Sequence, residues 1–181
     1  YGIDITVSSC RPYRSKEYWD DCCYQMKLLF NTNLYNPYIQ FHKANFSIFP
    51  IAPMPLIIKL GELIGDKLPC DIYQKTRHPD TWEWQSNELT NEFILEMQAE
   101  CGVENKVALI ISLTNDIQND RIRQVGEYQA IYKIKATSTG VDCIKSPDDL
   151  SAFWHMYQQT MDHILNTHGG DCQIHLFPSM P

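Results

Sequence analysis

The run VALIISL at positions 107–113 is the feature that most limits how this chain can fold, because six of its seven residues are apolar. A run of this length, rich in β-branched residues and without Gly or Pro, is typical of a strand that is buried on both faces. Strands of that kind occur in parallel sheets, where helical crossovers cover both sides. The run therefore predicts an α/β protein with a central parallel strand.

Strand-like and helix-like patterns alternate on both sides of this run. We expect further strands at 3–7, 46–51, 69–75, 82–84, 92–97, 127–137 and 172–177. We expect helices at 16–31, 55–64, 114–125 and 147–168. Residues 92–97 fit a strand and a helix about equally poorly, and we take them as a strand. The alternation predicts right-handed β-α-β units and a doubly wound α/β fold.

Two of these elements have a clear apolar face. In the strand at 127–137, that face consists of Ala130, Tyr132, Ile134 and Ala136. The helix at 147–168 has Ser146 as its N-cap, Pro147 in its first position and Gly169 after its end. Its apolar residues recur at helical spacing and should form a buried stripe. The stripe consists of Leu150, Phe153, Trp154, Tyr157, Met161, Ile164 and Leu165.

The composition excludes several classes of protein. Of the 181 residues, 44% are hydrophobic and 12% aromatic, so burial can offset the ordering entropy and the chain is not disordered. No run of about 18 apolar residues and no secretory signal pattern is present, so we expect a cytoplasmic protein without a membrane span. The net charge of −7 argues against a duplex DNA partner, which requires a basic stripe. It allows a small anionic ligand that a few local donors hold.

The cysteines and histidines form no recognisable catalytic or metal-binding motif. Seven cysteines are scattered without a CxxC pair, which indicates buried thiols in a reducing cytosol rather than disulfides or zinc ligands. The six histidines form no HExxH, and no GxSxG is present. The sequence therefore predicts no catalytic residue, no metal site and no cofactor.

Two stretches of the chain resemble each other. IFPIAPMP at 48–55 and IHLFPSMP at 174–181 both lead from an apolar strand to a small residue, Met and Pro. Either the chain contains two similar halves, or Pro-rich turns of this kind recur by chance. The chain also begins without Met and ends directly after a strand, so we expect a segment of a longer protein.

A series of short motifs runs along the chain in a definite order. They are FPIAPMPLIIKLGELIGDK at 49–67, DIYQK at 71–75, WEW at 82–84, ALIISLT at 108–114, DLSAF at 149–153, Tyr157, His168-Gly169 and IHLFP at 174–178. Together they resemble the SAVED domain over essentially the whole chain. The resemblance implies one domain over residues 1–181, with two fused CARF-like Rossmannoid halves at about 1–100 and about 101–181 in a pseudo-two-fold relation. In the family a last helix with an Ala/Val-rich run and a Gly-Arg usually completes the second half, and we expect this helix to be missing after Pro181.

The resemblance to SAVED domains also implies a function. The family binds cyclic oligonucleotide second messengers, for example of the cyclic tri- or tetra-adenylate kind, in the antiphage systems CBASS and some type III CRISPR systems. Binding activates a fused or associated effector, such as a nuclease, a TIR NADase or a protease, often by head-to-tail assembly. The resemblance therefore implies a homo-oligomeric sensor without catalysis of its own, and an N-terminal effector domain that is absent from this chain.

The expected ligand contacts lie beyond the carboxyl ends of the strands, where ligands collect in open α/β sheets. Lys75 and Arg77 are the best candidates for phosphate, although they also fit a solvated pair of charges. Thr114 fits a ligand contact or a helix cap, and Trp84 fits base stacking or core packing. The full set of candidate contacts is Arg11, Pro53, Met54, Tyr73, Lys75, Arg77, Trp84, Ser112, Thr114, Pro178 and Ser179.

Two other functions fit the same residues. A ring nuclease would cleave the messenger, and His42, His78 or His175 are its candidates, although none has an identifiable partner residue. A scaffold would bind protein through the apolar strand-end surface, without any ligand. Formation of a cleavage product from the messenger would indicate a ring nuclease. Oligomers that form without ligand would indicate a scaffold.

Overall fold

The computed structural model of the chain describes residues 3–41, 45–65 and 68–181. The chain divides into two compact units, Tyr1–Lys75 and Thr76–Pro181, and each has its own sheet and its own apolar core. The architecture is mixed α/β, as the sequence predicts. The two fused halves that meet near residue 100, and their pseudo-two-fold relation, stay predictions.

The first unit begins with a long helical segment. Helix α1 spans Lys16–Phe30 and is capped by Ser15, whose Oγ accepts the Tyr18 N–H at 3.1 Å. A π-helical turn, Asn31–Tyr35, leads from α1 into α2, Asn36–Phe41. The first predicted helix is therefore confirmed, and the helical segment continues beyond its predicted end.

The sheet of the first unit has two parallel strands with a helix between them. β1 is Phe46–Ile48, α3 is Met54–Ile64, and β2 is Cys70–Ile72. Helix α3 ends at Gly65, whose φ of +50° is a conformation that glycine adopts without a steric penalty. Leu56 of α3 is buried against apolar side chains of α1, so the two helices form a core.

The second unit contains a four-stranded sheet in the order β3-β5-β4-β6. β4, Lys106–Ser112, pairs in parallel with β5, Ala130–Ala136, on one side and with β6, Gln173–Ser179, on the other. β3, Phe93–Ala99, is antiparallel to β5 at an edge of the sheet. The predicted central parallel strand is confirmed, and so are the strands expected on either side of it in this part of the sequence.

Helices cover both faces of this sheet, because successive residues of β4 point to opposite sides and nearly all are apolar. α4, Asn119–Val125, packs on one face, where its Ile122 joins a smaller core. α5, Pro147–His168, packs on the other face, where its Ile164 joins Leu109 of β4 in the larger core.

Helix α5 has the ends that the sequence predicts, but its buried face is narrower. Ser146 Oγ accepts the Asp149 N–H at 3.0 Å, and Asp149 Oδ2 accepts the Ser146 N–H at 3.1 Å, which forms a capping box. The predicted buried stripe is wrong at Leu150, Trp154 and Leu165, of which the last two are each 54% exposed. These three lie on the flank of the helix that turns away from the sheet, because one face of a helix contacts only part of its circumference.

Two predicted strands are wrong. Residues 3–7 form no strand in the described structure, and Ser8, which follows them, instead exchanges hydrogen bonds with the Gln25 side chain of α1. Residues 82–84 form no strand either, and the nearest pairing is a single bridge between Thr76 and Thr81. A strand pattern produces a strand only where a neighbouring edge accepts its hydrogen bonds.

Candidate ligand-binding site

The carboxyl ends of β5, β4 and β6 bring three polar side chains into one row. In the parallel register, Ser112 is paired with Lys135 of β5 on one side and with Ser179 of β6 on the other. Paired side chains of neighbouring strands point to the same face, and the strands are about 4.8 Å apart. Lys135, Ser112 and Ser179 therefore form a continuous set of hydrogen-bond donors, which we call the strand-end row.

The loop at residues 113–118 folds back over the strand-end row. The Asn115 N–H donates to Ser179 Oγ at 3.1 Å, and the Ile117 N–H donates to Ser112 Oγ at the same distance. Ser112 is fully buried, while Ser179 is half-buried. The loop thus uses the hydroxyl oxygens of the row as its own acceptors and withdraws Ser112 from solvent.

Thr114, in this loop, does not cap the following helix, so that expected role is wrong. Its N–H and that of Leu113 both donate to the Ser179 carbonyl oxygen at 2.9 Å. Helix α4 begins only at Asn119, with Gln118 in the N-cap position. The Thr114 hydroxyl oxygen is buried and has no hydrogen-bond partner among the described residues. A buried hydroxyl without a partner raises the free energy of the closed loop.

Pro178 supports the strand end and does not belong to the row. It is paired with Ile111 of β4, and its side chain points to the face opposite that of Ser179. A proline is compatible with this position because β6 is at an edge of the sheet, where a missing N–H breaks no ladder bond on the open side.

An ion pair lies beside the strand-end row, on the same face of the sheet. The Lys133 side chain is only 8% exposed, and its Nζ donates to Asp116 Oδ1 at 3.0 Å. Burial alone raises the pKa of Asp116, but the hydrogen bond from Lys133 and the charges of Lys133 and Lys135 outweigh it and hold that pKa below its usual range. Asp116 is therefore a carboxylate at neutral pH, held where two ammonium groups attract negative charge.

A second carboxylate faces this group from β3. Glu96 is opposite Lys133 in the antiparallel register, and both line a cavity of about 290 Å³ together with Asn119 of α4. The two lysines are thus matched by two carboxylates while the loop at 113–118 is closed. Departure of Asp116 would leave the group with a net positive charge.

In the first unit, two aromatic rings lie at the carboxyl ends of the strands. Phe49, directly after β1, stacks on Tyr73, directly after β2, with ring centroids 4.8 Å apart and planes 14° from parallel. The Tyr73 N–H donates to the Ile48 carbonyl oxygen at 2.9 Å, which holds the strand ends together. Phe49 is 50% exposed. Pro53 precedes α3 and Met54 is its first residue.

The remaining predicted contacts lie in other environments. Arg11 is exposed, and its Nε is 3.6 Å from Asp21 Oδ2. Lys75 is half-buried at the end of the first unit, and Arg77 is exposed in the turn that begins the second. Trp84 packs against the core on the α5 face, opposite the face of the strand-end row. A contact of any of these residues with a ligand stays a prediction.

A cavity of about 870 Å³ lies within the first unit and has a mainly apolar lining. Residues 3–6, β1 and the segment after it, and α3 form much of its wall. Asp4 is the only charged residue among the described ones that line it. Because no cation is among the described residues of its lining, the cavity suits an apolar group better than a phosphate.

Sequence reasoning missed Lys133, Lys135 and Asp116. A signal for the lysines was present, since the apolar face of the strand at 127–137 was identified and the residues between its members must point the other way. No local sequence pattern marks Asp116, because its partner Lys133 is 17 residues away and comes close only when the two strands pair around the crossover helix.

The three histidines considered for a ring nuclease can be placed only in part. His42 lies outside the described residues, and His78 is exposed in a turn. His175 Nδ1 is 3.3 Å from the Tyr128 hydroxyl, in a contact that packs the α4 face of the sheet. Among the described residues, no group of three or more His, Cys, Asp or Glu could hold a metal ion. All seven cysteines are free thiols, but the expectation that they are buried is wrong for Cys10 and Cys101, which are exposed.

Within the same described ranges, every helix is too short or too polar to cross a membrane.

Comparison with known proteins gives one family. The model of SAVED, the SMODS-associated and fused to various effectors sensor domain, matches residues 32–181. The matched region includes both sheets and the whole strand-end row. No curated protein matches the chain significantly.

Proposed function

The chain belongs to the SAVED family of sensor domains, and from this premise we propose that it binds a cyclic tri- or tetra-adenylate-like messenger and thereby activates a fused or associated effector. Activation proceeds by ligand-driven head-to-tail assembly of chains, in the context of antiviral defence. The domain itself senses the messenger and leaves catalysis to the effector.

The strand-end row is the observation that carries this proposal. A phosphodiester presents two acceptor oxygens and one negative charge, and the strand-end row holds two hydroxyls and one ammonium at neighbouring positions, with the Ser112 hydroxyl beneath the loop at 113–118. The row also lies at the carboxyl ends of parallel strands, where α/β sheets bind their ligands. In a chain with a net charge of −7, this local group of donors supports binding of a compact anion rather than of a long nucleic acid.

The stacked pair of Phe49 and Tyr73 supports the nucleotide part of the proposal. Base–aromatic stacking is favourable for every base, and adenine has a large π-face. The ring of Phe49 is half-exposed and already held parallel to Tyr73, so it needs little further ordering to receive a base.

Isothermal titration of the chain with cyclic di-, tri- and tetranucleotides tests the proposal, with linear oligonucleotides of the same composition as controls. We expect at least one cyclic compound to bind and its linear counterpart to bind more weakly. Ser179→Ala should weaken binding, whereas Ser151→Ala, an exposed position on α5, should not. If a folded chain binds no member of the panel, the proposal is wrong.

The titrated samples also distinguish the alternatives. Chromatography that shows a linear product would indicate a ring nuclease instead of a pure sensor. Light scattering should show larger species only when the messenger is present, because a ligand shifts assembly only if it binds the assembled state more tightly. Oligomers that form equally without the messenger would indicate a scaffold.

A further inference from the structure

We infer that Asp116 is an internal competitor of the ligand: its carboxylate occupies an oxyanion site at Lys133 and Lys135, and a phosphate of the messenger must displace it. The inference rests on the proposed function and adds its regulation, since displacement of Asp116 also releases the loop at 113–118 from the strand-end row.

The first argument is that the closed loop uses the donors and acceptors that a phosphate would need. Lys133 Nζ donates to Asp116, and the hydroxyl oxygens of Ser112 and Ser179 accept N–H groups of the loop. Ser112 is fully buried in this arrangement. A phosphate therefore cannot contact Ser112 unless the loop moves away.

The second argument is electrostatic. While the loop is closed, Lys133 and Lys135 are matched by Asp116 and by Glu96, which is opposite Lys133 on β3. A phosphate added to this group would place three negative charges around two lysines, and like charges at close range repel. A phosphate that replaces Asp116 keeps two negative charges beside the two lysines, as in the closed loop.

The third argument concerns access and the stability of the closed loop. The Asp116 side chain is 33% exposed, so an anion in solution can approach the site from its side. The buried Thr114 hydroxyl lacks a partner in the described structure, so closure of the loop leaves one polar group unsatisfied. An open loop can satisfy that hydroxyl with water or with ligand.

Removal of the competing charge should tighten binding. For the cyclic nucleotide that binds the wild-type chain, we expect Asp116→Asn to lower Kd roughly two- to fivefold, the effect of removing one partly exposed ion-pair partner. Asp120→Asn is the matched control, because it removes an equally charged, largely exposed side chain from α4 and should leave Kd unchanged. Equal affinities for the two variants would overturn the inference.

Hydrogen exchange on the wild-type chain gives an independent readout that needs no variant to fold. Saturating messenger should accelerate exchange of the Asn115 and Ile117 amides, because their serine acceptors become ligand contacts. Slower exchange at both amides would show that the loop stays closed on the ligand, which contradicts displacement.

Titration with pyrophosphate separates this inference from the proposed function. In Asp116→Asn, pyrophosphate should shift the NMR signals of the Lys133 and Lys135 side chains at concentrations that leave the wild-type signals unchanged. If pyrophosphate binds but no messenger does, the proposed function is wrong and the inference of an oxyanion site at Lys133 and Lys135 is supported. If pyrophosphate perturbs neither variant nor wild type, the inference fails whatever the messenger does.

Discussion

The carboxylate of Asp149 accepts the backbone N–H of Asn91 at 2.9 Å, although the two residues are 58 positions apart. The same carboxylate accepts the N–H groups of Thr90, Lys145 and Ser146. Asp149 is fully buried, and the Asn91 and Ser146 N–H groups are buried with it, so no water can replace the carboxylate as their acceptor. One side chain at the start of α5 thus connects two segments by hydrogen bonds: the residues just before β3 and the residues just before α5.

Asp149→Ala should therefore destabilise the second unit strongly. The change leaves the buried Asn91 and Ser146 N–H donors without an acceptor, and each costs about 1–3 kcal/mol, so we expect the free energy of unfolding to fall by about 2 kcal/mol or more. Asp148→Ala is the control, because Asp148 is exposed in the same turn and should change the free energy by less than about 1 kcal/mol. Urea unfolding followed by circular dichroism measures both, and similar losses would contradict the role of Asp149.

The stability of the chain should decrease in acid through the same carboxyl. Burial raises the pKa of Asp149, but its hydrogen bonds from Lys145, Thr90 and Asn91 outweigh this effect and place the pKa below its usual range. A folded-state pKa below the unfolded value of about 3.9 means that the stabilisation is complete above that pH and is lost as pH falls through the folded pKa. Asp116 contributes with the same sign.

Urea unfolding at a series of pH values from 7 down to 3 tests this expectation. The free energy of unfolding of the wild-type chain should fall below about pH 5. In Asp149→Asn the fall should be smaller, because the group that titrates is absent. An equally steep fall in the variant would assign the acid sensitivity to other carboxyls.

Among the glycines that the structure describes, Gly102 is the one where an added methyl group should be least tolerated. A Cβ built there overlaps the backbone of Tyr128, which is itself buried in the smaller core of the sheet. Gly102→Ala should lower the free energy of unfolding by about 1–3 kcal/mol, since backbone must shift to make room. Gly140→Ala, where a Cβ meets nothing within 4 Å, should be within about 0.5 kcal/mol of wild type. Thermal unfolding of the two variants measures both effects, and equal losses of stability would contradict the predicted overlap at Gly102.

Lys75→Ala and Arg77→Ala should weaken messenger binding if these cations hold phosphate. Loss of a charge-assisted hydrogen bond typically corresponds to a roughly tenfold or larger increase in Kd. Lys27→Ala, at an exposed position in the last turn of α1, is the matched control for loss of one positive charge. Unchanged affinity in both variants would remove Lys75 and Arg77 from the site.

Elements with complete local signals could be predicted from the sequence. Helix α5 begins and ends as expected because its N-cap and first-turn proline at one end, and its glycine at the other, each act on the backbone within about one turn. β4 was evident because a strand buried on both faces needs an uninterrupted apolar run.

Elements that depend on a distant partner could not be predicted. Residues 3–7 have the composition of a strand, yet in the described structure no neighbouring edge pairs with them. Trp154 and Leu165 belong to the apolar pattern of α5, yet they lie outside the arc that contacts the sheet. Pattern alone does not tell which side chains at the margin of an apolar stripe are covered.

The sequence by itself determined the α/β class, the central strand, the helix that packs on it and the resemblance to the SAVED family, because apolar periodicity and capping are local. Only the tertiary structure decided that Ser112, Lys135 and Ser179 share one row and that Asp116 pairs with Lys133. Those relations depend on the register between strands that are far apart in the sequence. A shift of one residue in any of the three strands would turn its polar side chain to the opposite face of the sheet, and the three side chains would no longer be neighbours.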